Sequence, residues 1–83
     1  MVWKKDKEKQ DLWINTDGRY VRIYGDDVII GKNGRDQLRP EGYSYKEAKN
    51  MIKKLIALPL NEWNGMIKRQ TLPWYRSQFG GVF

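Results

Sequence analysis

Eighty-three residues with 16 Lys and Arg against 10 Asp and Glu describe one small basic domain with a thin core. At 40% hydrophobic and 31% charged, the chain has the composition of a folded globule rather than a disordered segment. It has no Cys and no His, which excludes a disulfide framework, the usual zinc ligands and the commonest general base.

Without His to activate them, Ser44, Ser77, Thr16 and Thr71 are poor nucleophile candidates, so binding is expected rather than catalysis. No metal or cofactor is expected. No apolar run approaches the length of a membrane helix, and Met1-Val2-Trp3-Lys4-Lys5 opens no apolar signal core. The sequence therefore predicts a cytoplasmic location and no membrane partner.

The net charge of +6 favours anionic partners and is unevenly spread. Residues 1–10 carry four Lys against Asp6 and Glu8, whereas residues 11–40 carry five basic and five acidic groups and are neutral. The excess lies in the two ends and in residues 41–60. Residues 1–10 lack an apolar stripe after Trp3 and read as a basic arm, solvated or touching a partner. A single domain over residues 11–83 follows.

Residues 12–38 read as an antiparallel meander of three to four strands. Leu12-Trp13-Ile14-Asn15 is β-prone, and Asp17-Gly18 signals a hairpin whose central positions take positive φ. Arg19 to Tyr24 alternates, with Val21 and Ile23 on one face and Tyr20, Arg22 and Tyr24 on the other. Gly25-Asp26-Asp27 is a turn, where the paired carboxylates serve turn chemistry rather than a metal. Val28 to Gly31 is a third strand, and Asn33-Gly34 a further hairpin turn. Arg35 to Leu38 is a fourth strand or an exit loop.

Ser44-Tyr45-Lys46-Glu47 is a capping box opening a helix to residue 58. Ala48, Met51, Ile52, Leu55 and Ile56 form its apolar stripe, which the Val21/Ile23 face of the sheet is expected to cover. A shorter helix over residues 61–70, capped by Asn61, carries Trp63, Met66 and Ile67 on one face. An aromatic, glycine-rich tail follows Pro73. The class is α+β: a meander, one amphipathic helix packed on it, a short second helix and an aromatic tail.

Three groups of residues could bind a partner. The first is Tyr20, Arg22 and Tyr24, with Arg19, Lys32 and Arg35 at neighbouring strand ends. Rings stack on bases and guanidinium groups bond phosphates or base edges, although Tyr and Arg also populate ordinary solvated sheet faces. The second is the helix side bearing Lys46, Lys49, Lys53 and Lys54, which suits phosphates or is a solvated face. The third is the carboxyl-terminal cluster of Trp74, Tyr75, Arg76, Phe79 and Phe83, which either completes the core or docks on a larger protein complex.

The stretch Gly18-Arg19-Tyr20-Val21-Arg22-Ile23, followed by Gly42-Tyr43-Ser44-Tyr45-Lys46-Glu47-Ala48, resembles the three-stranded-sheet-plus-helix DNA-binding domains of phage-type tyrosine integrase amino termini and plant ethylene-response factors. Ser44 stands where those domains place Thr, and the Glu-Ala pair comes one position early. The resemblance spans about half of the chain and implies that the sheet face opposite the helix binds DNA. Arg19, Tyr20, Arg22, Tyr24 and Lys32 would be the contacts. The expected function is a small, non-enzymatic nucleic-acid-binding accessory protein, with DNA ahead of RNA. The rival expectation is a phage-type protein-binding module that docks on a larger host complex through the aromatic tail.

Overall fold

A computed structural model describes residues 3–9 and 11–74. Five antiparallel strands follow one another across a single sheet: β1 (Trp3–Lys5), β2 (Leu12–Asn15), β3 (Arg19–Tyr24), β4 (Asp27–Lys32) and β5 (Arg35–Leu38). Two helices, α1 (Tyr45–Ala57) and α2 (Leu60–Arg69), complete the fold. The class is α+β as expected, but the meander has five strands rather than three or four.

The additional strand is β1, in the segment read as an arm. It pairs with β2 in the register Trp3 to Asn15, Lys4 to Ile14 and Lys5 to Trp13. Only three residues long, β1 has too few positions for an alternating pattern to be visible. Its anchor is tertiary: the Trp3 ring lies 5.5 Å from that of Trp63 and 5.2 Å from the Arg19 guanidinium. The Asp6 carboxylate then turns the chain back by accepting from the backbone N–H groups of Glu8 and Lys9, each at 2.8 Å.

The turns follow local chemistry. Asn33 and Gly34 have φ of 54° and 79°, the left-handed pair that a two-residue hairpin turn needs. At the β2–β3 turn only Gly18 is left-handed. There the Asn15 side chain accepts from the Asp17 N–H at 3.0 Å and closes a longer loop, so the tight turn expected at Asp17-Gly18 is not formed.

Helix α1 starts with both halves of the capping box: Ser44 Oγ accepts from the Glu47 N–H at 3.2 Å, and Glu47 accepts from the Ser44 N–H at 3.3 Å. Pro59 precedes α2 at its N-cap, without a side-chain cap, so Asn61 lies inside the first turn instead of capping it. Gln70 ends α2 in the left-handed conformation.

Both helices cover one face of the sheet. Val21, Ile23, Val28 and Ile30 meet Ala48, Met51, Ile52 and Leu55 of α1 and Trp63 and Met66 of α2 in one buried cluster. Each buried Val, Ile, Leu or Met among them contributes about 1.5–3 kcal/mol before ordering costs. Trp63 is fully buried, and its Nε1–H donates to the Leu55 carbonyl at 2.9 Å, joining α2 to the end of α1. Ile29 points to the opposite face and lies outside this cluster, yet is also fully buried.

Candidate functional site

Alternation along β3 divides the strand between two environments. Arg19, Val21 and Ile23 are buried under the helices; Tyr20, Arg22 and Tyr24 lie on the outer face. Register extends that outer face across the sheet. Leu12 and Ile14 of β2 pair with Arg22 and Tyr20, and Lys4 of β1 pairs with Ile14. Among the described residues, neither helix packs on this side.

A hollow of about 650 Å³ opens there, lined by Leu12, Ile14, Tyr20, Arg22, Tyr24, Lys9, Asp11 and Asp36, among others. That volume falls within the range of ligand-binding clefts. Its floor depends on Gly31, whose register partners are Tyr20 and Asp36. A Cβ on Gly31 would collide with the Tyr20 ring, so only glycine lets the ring lie across β4 and donate from its hydroxyl to Asp36.

The outer rim is cationic and aromatic. Tyr24 is 63% exposed, with the guanidinium groups of Arg22 and Arg39 lying 5.8 and 5.6 Å from its ring centre. Arg39 is itself held by a 2.7 Å ion pair to Asp27. The other rim carboxylates are also engaged: Asp36 by Tyr20 and Asp11 by the Tyr45 hydroxyl at 3.0 Å. Among the described residues, Arg19 and Arg39 are the only basic side chains in ion pairs, which leaves Lys4, Lys9 and Arg22 open to an external anion.

Burial, the hydrogen bond to Asp36 and that carboxylate's charge together push the Tyr20 phenol from about 10 up to about 12, against the opposing charge of Arg22. The native state therefore holds this proton more tightly than the unfolded chain. The resulting stability is fully present below pH about 10 and is lost as pH rises toward 12. In a tyrosinate absorbance titration, wild type should show a phenol that ionises only as pH approaches about 12, and Tyr20→Phe should lack it. Absence of that late step in wild type would contradict the Tyr20–Asp36 contact.

The other expected contacts lie elsewhere. Arg19 is only 3% exposed and belongs to the helix side, which corrects its expected place on the binding face. Its Nε donates to Asp17 at 2.7 Å and its Nη1 to the Leu58 carbonyl at 3.1 Å, and its guanidinium lies 5.2 and 5.3 Å from the ring centres of Trp3 and Trp63. Lys32 pairs with Arg19 in register and its ammonium donates to Asn64 of α2 at 3.1 Å. Lys32 and Arg35 line a separate hollow of about 480 Å³ with Asn64, Ile67 and Lys68. The period of two predicts this division, because residues 19 and 20 cannot share a face.

Lys46, Lys49 and Lys53 are exposed on the side of α1 turned away from the sheet, so one short ligand cannot reach both them and the outer face. Trp74 is half-buried against the core with Lys54 Nζ 5.5 Å from its ring centre. Tyr75, Arg76, Phe79 and Phe83 lie outside the described residues.

Sequence reasoning missed Leu12, Ile14, Lys4, Lys9 and Arg39. Leu12 and Ile14 were within reach, since alternation in β2 places them together on one face. Arg39 gave no signal: it reaches Tyr24 and Asp27 across a sheet whose β4–β5 register shifts between Ile30 and Gly31.

Among the described residues, no three His, Cys, Asp or Glu side chains gather as a metal site would require, and no helix is long and apolar enough to cross a membrane. In comparisons with known proteins, no family model, no curated protein and no solved structure matches this chain.

Proposed function

We propose that this chain is a non-enzymatic nucleic-acid-binding protein whose ligand surface is the outer face of the sheet. The observation that carries the reading is the position of exposed Tyr24 and Arg22 at the rim of an apolar hollow that neither helix covers. Rings and apolar side chains there would meet bases, while Lys4, Lys9 and Arg22 would meet phosphates. The likeness of residues 18–23 and 42–48 to integrase-type and ethylene-response DNA-binding domains points to the same face. The helix lysines attract a polyanion over a distance without belonging to this site.

Fluorescence anisotropy with a labelled oligonucleotide at two salt concentrations tests the proposal. Binding should weaken as salt rises, because phosphate contacts release counterions. The double variant Arg22→Ala/Tyr24→Ala should lose at least about tenfold in affinity while keeping its circular dichroism spectrum, since both residues are exposed. Undetectable binding, or binding indifferent to salt and to the double substitution, refutes the reading.

A further inference from the structure

We propose that the outer face takes single-stranded rather than duplex nucleic acid, with Tyr24 as the platform on which a base stacks. The inference rests on the functional reading above and narrows its ligand. Its first ground is shape. The face is a shallow hollow of about 650 Å³ lined by apolar and aromatic side chains, a shape that suits splayed bases better than the phosphate ridges of a duplex.

The second ground is the chemistry of the lining. Leu12 and Ile14 form an apolar floor beside Tyr20, and Ile14 is 41% exposed. The outside of a duplex offers phosphates and sugars to such a floor. Base faces are hidden in the stack and become available only when a strand is single. The exposed Tyr24 ring has guanidinium groups 5.8 and 5.6 Å from its centre, and a base can take Arg22's place on the ring or stack on a guanidinium plane beside it.

The third ground is charge. Asp36 and Asp11 are held by phenol hydroxyls but keep their charge, and Arg39 is paired with Asp27, so among the described residues the unpaired cations of this face are few: Lys4, Lys9 and Arg22. About three phosphate contacts on a single strand give a slope of log affinity against log salt of about −2. Stacking must then supply much of the remaining affinity.

The test is anisotropy of a labelled thymidine oligomer and of a blunt duplex of equal length, with the full chain and its Tyr24 variants. The oligomer should bind at least about tenfold more tightly than the duplex. Tyr24→Ala should weaken oligomer binding about tenfold, and Tyr24→Phe should retain it. Tyr24→Leu, which keeps an apolar strand residue but no ring, should match Tyr24→Ala and guards against a folding artefact. Duplex binding equal to or tighter than oligomer binding overturns this inference and leaves the nucleic-acid reading in place. An oligomer that binds wild type, Tyr24→Ala and Tyr24→Leu equally removes Tyr24 as the platform. Binding of neither ligand overturns both.

Discussion

Trp63→Ala is expected to remove a large part of the domain's stability. A fully buried Trp truncated to Ala costs about 3–5 kcal/mol. A domain of this size has about 4–12 kcal/mol in total. The substitution also breaks the 2.9 Å hydrogen bond to the Leu55 carbonyl and removes the ring against which Trp3 and Arg19 pack. One side chain thus joins the end of α1, the body of α2 and the first strand. Trp63→Phe keeps a ring but loses the indole N–H, and should cost roughly half as much. Urea denaturation followed by circular dichroism would give the ranking. A Trp63→Ala midpoint equal to that of wild type would show that the core is organised differently.

Arg19→Ala should be nearly as damaging, by about 3–5 kcal/mol, because it breaks a buried ion pair and leaves its partners unmatched. Asp17 and the Leu58 carbonyl would lose their donors, and Trp3 and Trp63 would lose the guanidinium packed beside both rings. Arg19→Met should be milder, since its unbranched stem fills part of the space and brings no buried charge. Arg19→Lys should also cost stability, about 1–3 kcal/mol, because an ammonium is not planar and cannot reach both acceptors while packing beside two rings. A thermal-unfolding series in the order wild type, Met, Ala is the expected result. Equal stability of Arg19→Ala and wild type would contradict the buried clamp. This residue also separates structure from binding: folded Arg19→Lys should bind an oligonucleotide as wild type does, unlike Arg22→Ala.

Arg19 also shows where sequence reasoning stops. Alternation placed Val21 and Ile23 beneath the helix and Tyr20, Arg22 and Tyr24 opposite, as observed. Applied one residue further, the same rule puts Arg19 inside. A charged side chain is ordinarily assigned to solvent, because burying it costs energy unless partners are present. Here the partners are Asp17, two residues earlier, and Leu58, Trp3 and Trp63, which no local pattern connects to it. The capping box at Ser44 and the stripe of α1 were readable because both are local signals. The strand β1 was not, because Trp3 gains its partners only once α2 is in place. In the site, Tyr20, Arg22 and Tyr24 came from local alternation, whereas the reach of Arg39 to Tyr24 depends on a register shift that the sequence does not mark.

That the uncovered sheet face, and not the lysine side of α1, is the ligand surface can be decided by a residue-resolved NMR titration with a short oligonucleotide, single-stranded and duplex in turn. The largest amide shifts should fall on Leu12, Ile14, Tyr20, Arg22 and Tyr24, with little change at Lys46, Lys49 and Lys53. Shifts confined to the helix lysines, or no shifts with either ligand, would mean that the hollow beneath Tyr24 does not bind nucleic acid.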